Sequence, residues 1–298
     1  MSLVQRAAQS LRDGNSAQRA GETTKQRKQR KAETAFRLEA ELDYGHLAQQ
    51  GLFVPTSKPE RLPQELRAIK RRLLRRLKYY KNDLSGRKSK RSILGAQSRR
   101  RVLMTSTSPA EGKTFTAINL ALSLAIEDGI NVLLVDTDMP RPRVFKYLNL
   151  PSLPGLSDKL RKPDLPLSDI VVKVRGHSLL LLSEGQQRDI PRDVFERGEM
   201  ARVVQELTTA YPDHLIIFDA PPILAAPEAA LLAQHADEVV FVVKANNTPE
   251  SAIAAALEEV LEFNDSISLV LNQALVPGKF SHYGSYGEYY SDSKGQDD

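Results

Sequence analysis

This 298-residue sequence lacks the features that would assign it to a secreted or membrane-spanning class. It contains no cysteine, which excludes disulfide bonds and thiolate metal sites and is consistent with a reducing compartment. No apolar run approaches the roughly 20 residues that span a bilayer, and the N-terminus shows no apolar core of a signal peptide. We therefore expect a cytoplasmic protein.

Charge is distributed unevenly along the chain. Residues 1–100 contain 25 Lys and Arg against 9 Asp and Glu, a net charge of +16, whereas residues 101–298 contain 17 against 28, a net charge of −11. A basic segment joined to an acidic domain indicates an anionic partner, such as membrane headgroups, nucleic acid or an acidic protein segment. For residues 1–35, a solvated and disordered extension explains the composition better.

Composition and hydrophobic pattern divide the chain into four segments. The first is a basic arm that we expect to be largely disordered, and the second is a basic amphipathic helix followed by a Ser-, Lys- and Arg-rich linker. The third alternates strand and helix patterns, and the fourth is a flexible, tyrosine-rich tail. Their predicted bounds are residues 1–60, 61–100, 101–277 and 278–298.

The basic half also contains two apolar patterns. Residues 42–47 and 51–55 form a short apolar island that we expect to pack on the domain or on a neighbouring subunit, and a transient helix is predicted within 25–42. From Pro63, apolar residues recur at helical spacing and basic residues cover much of the remaining surface. Such a helix lies on a membrane, pairs with another subunit, or docks with a solvated charged face. Its apolar face consists of Leu66, Ile69, Leu73, Leu74 and Leu77.

The third segment predicts an α/β fold with a doubly wound, mostly parallel sheet, because apolar strands alternate with helical patterns. The strands are continuously apolar, as expected when helices cover both faces of the sheet. Helices are predicted at 113–127, 199–210 and 250–262, the last with Thr248 as its N-cap and Pro249 in its first turn. The predicted strands are 101–106, 131–136, 178–182, 214–219, 238–243 and 267–271.

A phosphate-binding loop joins the first of these strands to the next helix. Residues 107–114 read Thr-Ser-Pro-Ala-Glu-Gly-Lys-Thr, which matches a Walker A motif except that Thr107 replaces its usual first glycine. Backbone N–H groups of such a loop face bound phosphates, Lys113 reaches the β- and γ-phosphates, and the Thr114 hydroxyl ligates Mg²⁺. The residues predicted to bind nucleotide are Ser108, Pro109, Ala110, Glu111, Gly112, Lys113, Thr114 and Phe115.

Three aspartates follow predicted strands at the edge of the sheet where ligands bind. Asp219 ends an apolar run in the manner of a Walker B carboxylate, which holds the shell of Mg²⁺. Asp136 and Asp138 follow the second strand as Asp-Thr-Asp. Carboxylates beside Mg²⁺–ATP act as metal ligands and as acceptors of a hydroxyl proton.

The tail concentrates tyrosine. Four of the nine tyrosines fall in the last sixteen residues, and no apolar periodicity accompanies them, which disfavours a role in a core. Stacking on nucleic acid is disfavoured by the acidic neighbours, which repel phosphates. A tyrosine-rich tail beside an ATP site instead indicates the phosphate acceptor. The predicted acceptors are Tyr283, Tyr286, Tyr289 and Tyr290.

With these motifs the sequence resembles the bacterial tyrosine kinases (BY-kinases) of capsule and exopolysaccharide biosynthesis, and among them the exosortase-locus tyrosine autokinases. The resemblance runs from about residue 42 to the C-terminus. It rests on the Walker A stretch 107–114, a Walker A′ stretch at 132–142, the Walker B stretch 215–222, the tyrosine tail and the helical stretch 64–74.

The resemblance implies a P-loop NTPase fold of the MinD-like superfamily and an ATP-dependent protein-tyrosine kinase that phosphorylates a C-terminal tyrosine cluster, usually on a neighbouring subunit of a ring. It implies ATP and Mg²⁺ as cofactors, with Thr114, Asp136 and Asp219 as metal contacts. Lys113, Asp136 and Asp138 are then the catalytic residues, and the sequence leaves open which of the two aspartates is the base.

The resemblance also implies partners. We expect a homo-oligomer and a membrane-embedded partner of the polysaccharide chain-length-regulator (co-polymerase) type, which would hold the protein at the inner membrane. The basic helix and arm are candidates for contact with an anionic membrane surface or with that partner. No nucleic-acid partner is expected.

Three positions depart from the family pattern. Ala110 stands where the family often has glycine, and Pro140 stands where an arginine is common, so both bear on nucleotide binding. The oligomerisation motif Glu-x-x-Arg-x-x-Arg aligns with Gln64, Arg67 and Lys70. Only Arg67 is identical, which bears on ring formation.

Two other functions fit part of the pattern. A positioning or partitioning ATPase of the same superfamily shares the Walker motifs, but it carries an intersubunit lysine where this chain has Ser108 and gives no role to the tyrosine tail. A nucleotide-binding scaffold without kinase activity recruits membrane partners through its basic arm but has no need of Lys113, Thr114 and three aspartates. Labelled ATP separates the three functions, because they predict phosphotyrosine, free phosphate alone, or neither.

Overall fold

The computed structural model of the protein describes residues 36–55, 64–77, 99–187, 198–226 and 228–274. Most of the predicted arm, most of the predicted linker and the whole tyrosine-rich tail lie outside these residues. The bounds of the four sequence segments therefore stay predictions.

The strands of the described residues form one mixed sheet of eight. Their bounds are β1 Leu38–Ala40, β2 Arg101–Ser106, β3 Asn131–Asp136, β4 Val171–Val174, β5 Leu179–Leu182, β6 His214–Asp219, β7 Glu238–Lys244 and β8 Ile267–Asn272. Across the sheet the order is β1-β4-β5-β3-β6-β2-β7-β8. From β5 to β8 in that order all neighbours are parallel, while β4 is antiparallel to β5 and parallel to β1. This confirms the predicted mostly parallel α/β sheet.

Helices cover both faces of this sheet. Their bounds are α1 Tyr44–Gln49, α2 Gln64–Arg76, α3 Lys113–Ala125, α4 Val144–Tyr147, α5 Leu156–Arg161, α6 Glu199–Ala210, α7 Glu228–Ala233 and α8 Glu250–Leu261, with a 3₁₀ turn at Leu167–Asp169. Buried residues of α1 to α4 belong to the apolar cluster on one face, and those of α5 to α8 belong to the cluster on the other. The fold is therefore doubly wound. None of the described helices combines the length and apolarity needed to cross a bilayer.

The N-terminal elements share the core of the sheet. Leu47, Leu52 and Phe53 are buried in the same cluster as α3, and the backbone N–H of Phe53 donates to Asn119 Oδ1 on that helix at 2.7 Å. The predicted packing of the apolar island on the domain is therefore confirmed. Because α3 begins in the phosphate loop, this layer lies directly against the helix that carries the site.

Helix α2 packs on α3 through the predicted apolar face, in which Leu66, Leu73, Leu74 and Leu77 are buried. Lys70 is buried as well, although the sequence placed it on the polar face. Its Nζ pairs with the Glu127 carboxylate and donates to the carbonyl of a residue in α3. The aliphatic stem of a lysine can be buried in this way while its charged end finds an anion.

Two other local predictions are corrected. Of the transient helix predicted within 25–42, only 36–42 lies in the described residues, and there Leu38–Ala40 is a strand that pairs with β4, a four-residue strand that was not predicted. Thr248 is not the N-cap of α8. That position belongs to Pro249, whose side chain makes no capping hydrogen bond, and the helix begins at Glu250.

Candidate active site

The phosphate loop connects β2, which ends at Ser106, to α3, which begins at Lys113. Gly112 is the N-cap of α3 and has a left-handed backbone with φ of +92°. A Cβ at Gly112 would lie 2.1 Å from Asn272 Nδ2, so only glycine fits. Ala110 also has a positive φ, of 66°. The loop thus delivers the positive end of the α3 dipole to the carboxyl edge of the sheet, which favours a bound anion.

Lys113 is the cation of this edge. Its Nζ lies 2.8 Å from Asp138 Oδ2, 3.4 Å from Asp219 Oδ1 and 3.2 Å from Thr114 Oγ1. Burial opposes the charged form of Lys113, but the nearby carboxylates of Asp219 and Asp138 raise its pKa above the usual value. The lysine is therefore charged at neutral pH, and it is held among oxygen atoms that phosphates can replace.

Thr114 and Asp219 form the second contact of the site. The Thr114 hydroxyl donates to Asp219 Oδ2 at 2.6 Å. The Asp219 side chain is fully buried, and this burial raises its pKa even though Lys113 and the Thr114 hydroxyl favour the carboxylate. A hydroxyl oxygen beside a carboxylate is a donor set that suits a hard divalent cation.

Asp136 and Asp138 differ in their surroundings. Asp136 lies directly opposite Asp219 in the β3–β6 pairing, and its oxygens accept N–H groups from Asp138, Arg143 and Val144 at 3.0 to 3.1 Å. Burial, followed by the charge of Asp219, raises the pKa of Asp136 well above its usual value. Asp138 instead pairs with Lys113 through one oxygen, and its other oxygen accepts a backbone N–H at 3.1 Å.

The site carries an excess of negative charge that a cation would relieve. The described residues that line it include three buried aspartates and one buried lysine, which pairs with Asp138 and Asp219. No three His, Cys, Asp or Glu side chains in the described part of the chain are grouped to hold a metal by themselves. These residues fit Mg²⁺ that is bound partly by phosphates and water, which is how that ion is usually held beside nucleotides. Thr114 and Asp219, which already contact each other, are side chains that would hold it.

The structure thus brings together most of the predicted site. Lys113, Thr114 and the three aspartates converge on the carboxyl ends of β2, β3 and β6, next to the loop that contains Ser108 to Gly112. Phe115 packs on the apolar cluster of its face. The four predicted acceptor tyrosines lie outside the described residues.

The sequence did not predict the contacts of two residues of the site. Thr248 and Asn272 both contact Glu111 of the phosphate loop. Each follows or ends a strand at the carboxyl edge of the sheet, which was the only signal that pointed to them. Their partners are more than 130 positions away along the chain.

The chain is similar in sequence to known kinases. No protein-family model matches it. It is 32% identical over 186 residues to the tyrosine-protein kinase YwqD of Bacillus subtilis, an alignment that covers 62% of this chain and 77% of YwqD. It is 29% identical over 190 residues to EpsB of Ralstonia nicotianae, but this covers 63% of the chain and 25% of that longer protein.

Solved structures agree with this relationship. The kinase domain of VpsO is 30% identical, with a TM-score of 0.53, over 58% of this chain and 84% of that domain. The chimeric protein CapA2B2 has a TM-score of 0.60 over 84% of this chain and 99% of its own, and at 20% identity it shows the shared fold. The phosphate loop, the buried aspartates and the extent of the match to YwqD give one conclusion. The chain belongs to the bacterial tyrosine-protein kinases.

Proposed function

We propose that the protein transfers the γ-phosphoryl group of ATP to tyrosines of its own C-terminal tail, and that donor site and tail belong to different subunits of a homo-oligomer. The convergence of Lys113, Thr114 and three buried aspartates beside the phosphate loop supports this proposal most directly. The tail supplies the acceptor, since it has four tyrosines within eight residues.

Each side chain then has a role that follows from its contacts. Lys113 exchanges its carboxylate partners for the β- and γ-phosphates and neutralises charge that grows on them during transfer. Thr114 and Asp219 hold Mg²⁺, with Asp136 as a further contact. When bound, the metal supplies positive charge to the phosphate oxygens.

The acceptor tyrosine must lose its proton as its oxygen bonds to phosphorus and the bond to the ADP oxygen breaks. Its unperturbed pKa is about 10, so a carboxylate of the site has to take that proton. Asp136 and Asp138 are the two candidates, because both are buried at the edge of the sheet beside Lys113. We propose that one accepts the proton while the other holds the metal or Lys113 in place.

The protein would act in exopolysaccharide or capsule polymerisation and export, at the cytoplasmic face of the membrane and with a membrane-embedded chain-length regulator as partner. Its membership among the bacterial tyrosine-protein kinases supports this role. The exposed arginines of α2 offer a surface for an anionic membrane or for that partner.

Mass spectrometry of the full chain after incubation with Mg²⁺–ATP tests the reaction. We expect phosphotyrosine in the tail of the wild type, its loss in Lys113→Met, and wild-type levels in the control Lys146→Met, which changes an exposed lysine outside the site. Free phosphate without phosphotyrosine, with any activating membrane fragment supplied, would instead indicate an ATPase switch.

A mixing experiment tests transfer between subunits. One variant carries Lys113→Met and an intact tail, and the other has a normal site with Tyr283, Tyr286, Tyr289 and Tyr290 changed to Phe. Neither should label itself in the tail. If the tail of the Lys113→Met chain becomes labelled in the mixture, transfer occurs between chains. If the mixture stays unlabelled while the wild type labels its own tail, transfer occurs only within a single chain.

A further inference from the structure

One side chain of the phosphate loop is folded back on the loop itself. Glu111 is only 2% exposed, and its Oε2 accepts the backbone N–H of Ser108 at 3.0 Å. The carboxylate therefore spans the segment that contains Ala110, whose positive φ is unfavourable for a residue with a Cβ. This bond holds the turn closed.

The same carboxylate is tied to a neighbouring loop. Thr248, in the connection between β7 and α8, donates its hydroxyl to Glu111 Oε1. The Thr248 hydroxyl is therefore bonded to the phosphate loop, while Pro249 takes the N-cap position of α8. A buried carboxylate that accepts two hydrogen bonds is well satisfied without a cation, and Lys113 pairs with Asp138 and Asp219 instead.

A third contact fixes the backbone of the same residue. Asn272, the last residue of β8, donates its Nδ2 to the carbonyl of Glu111 at 2.9 Å. The same Nδ2 atom lies 2.1 Å from the position that a Cβ of Gly112 would occupy. Glu111 is thus held by Ser108, Thr248 and Asn272, which belong to three different segments of the carboxyl edge.

We propose that Glu111 is a positioning residue for the bound nucleotide, and that the Ser108–Glu111–Thr248 tie holds the phosphate loop in its binding conformation. The role is geometric, because a carboxylate repels phosphates and the partners of this one are an N–H and a hydroxyl. Without the tie, the loop would become ordered only when the nucleotide binds, and the entropy lost in that step would weaken binding. The proposal rests on nucleotide binding at this loop and does not depend on transfer to the tail.

Affinity for ADP, measured by titration calorimetry on the full chain with Mg²⁺ present, tests the tie without any turnover. We expect Thr248→Val and Glu111→Ala each to weaken ADP binding by roughly tenfold, as for loss of a hydrogen bond to a charged group. The double variant should bind no more weakly than Glu111→Ala, because both changes remove the same tie. Glu111→Gln should stay close to wild type, since an amide can accept from Ser108 and donate to Thr248.

The control is Thr209→Val, which removes a hydroxyl bonded to its own helix α6 and should leave ADP affinity unchanged. Wild-type affinity in Thr248→Val would overturn the proposal, and so would Glu111→Gln binding as weakly as Glu111→Ala, since the charge would then matter and the tie would not. If Glu111→Ala does not fold, Thr248→Val and Glu111→Gln still decide. A chain that binds ADP as expected but leaves its tail unlabelled would refute the proposed transfer and leave the tie intact.

Discussion

The two ends of the central strands carry clusters of charge that differ in balance. At the amino ends of β2 and β7, every carboxylate described there has an arginine. Arg101 makes a two-point contact with Asp237 at 2.9 and 3.0 Å, and Arg76 Nε lies 3.0 and 3.1 Å from the two oxygens of the fully buried Glu238. At the carboxyl ends of β2, β3 and β6, the site described above has three aspartates and one lysine, and Lys113 pairs with only two of them, Asp138 and Asp219.

The pKa directions follow this difference. Burial favours the neutral form of Asp237, but hydrogen bonds from Arg101 hold its pKa below the usual value. At the other end, burial raises the pKa of Asp136 and of Asp219. The amino-end cluster is satisfied and stabilises the fold, whereas the carboxyl-end cluster holds charge that a ligand has to compensate. Such imbalance is typical of functional sites.

The largest effect is expected when single charges are removed from the carboxyl-end cluster. Asp136→Asn, Asp138→Asn and Asp219→Asn should each lower tail phosphorylation by about 10²- to 10⁴-fold, because each loses a metal contact or a proton acceptor. The free energy of unfolding at pH 7 should be unchanged or higher in Asp219→Asn, since this change relieves repulsion with the other two aspartates. Asp136→Asn and Asp138→Asn also lose an oxygen that accepts a backbone N–H or pairs with Lys113, so they should lower it by about 1–3 kcal/mol without unfolding the protein. Phosphotyrosine formation and urea unfolding measure the two effects.

The control is Asp128→Asn, an exposed aspartate in the turn after α3, which should leave both properties unchanged. A Mg²⁺ titration separates the roles of the three aspartates. A variant that lost its proton acceptor keeps the Mg²⁺ concentration for half-maximal rate, whereas a variant that lost a metal contact needs more. An Asn variant that unfolds at neutral pH would contradict the claim that this cluster is functional.

The opposite result is expected at the amino end. Glu238→Ala should lower the free energy of unfolding by about 3 kcal/mol, because Arg76 and the hydroxyls of Ser266 and Ser268 lose their buried partner. Phosphorylation of the tail should stay within about threefold of wild type, since β7 separates this cluster from the site by roughly 20 Å. Glu259→Ala, on the exposed face of α8, is the matched control for both measurements.

The two clusters should change stability in opposite directions as pH falls, because the pKa of Asp237 is lowered in the folded state whereas those of Asp136 and Asp219 are raised. Since the pKa of Asp237 is lowered in the folded state, its contribution is present above the unfolded value of about 3.9 and is lost as pH falls through the folded value. Asp237→Asn should therefore remove part of the acid sensitivity of unfolding. The effect is smaller than that of Glu238→Ala because Arg101 is partly exposed. Urea unfolding between pH 3 and pH 7 measures it, and an unchanged profile would show that the pair contributes nothing.

The sequence predicted the central strands well for a physical reason. Strands 101–106, 131–136 and 214–219 were placed to the residue, since each is buried on both faces and is therefore continuously apolar. The short strands β1 and β4 at one side of the sheet were missed, because three or four residues carry no periodic signal and their pairing depends on the rest of the fold.

The site, like the sheet, was predicted only in part. The convergence of Lys113 with three aspartates followed from the rule that carboxyl ends of parallel strands meet at one edge. The contacts of Thr248 and Asn272 with Glu111 could not be predicted, because they join loops whose relative positions are set by packing. The same holds for the pairing of Lys70 with Glu127, which depends on how α2 docks on α3.

The smallest predicted effect concerns the backbone of the carboxyl end, where Ala110, Asn246 and Gln273 have positive φ without being glycine. A left-handed backbone costs a residue with a Cβ roughly 1–2 kcal/mol, and glycine relieves it but loses about 0.5–1 kcal/mol to the entropy of the unfolded chain. Ala110→Gly should therefore raise the free energy of unfolding by no more than about 1.5 kcal/mol. Because the Glu111 tie holds the loop in either case, ADP affinity should change less than twofold. A large loss of affinity would mean that the strained alanine itself orders the loop. Backbone strain at this end of the sheet would then contribute to nucleotide binding, as the excess of aspartates over lysine does.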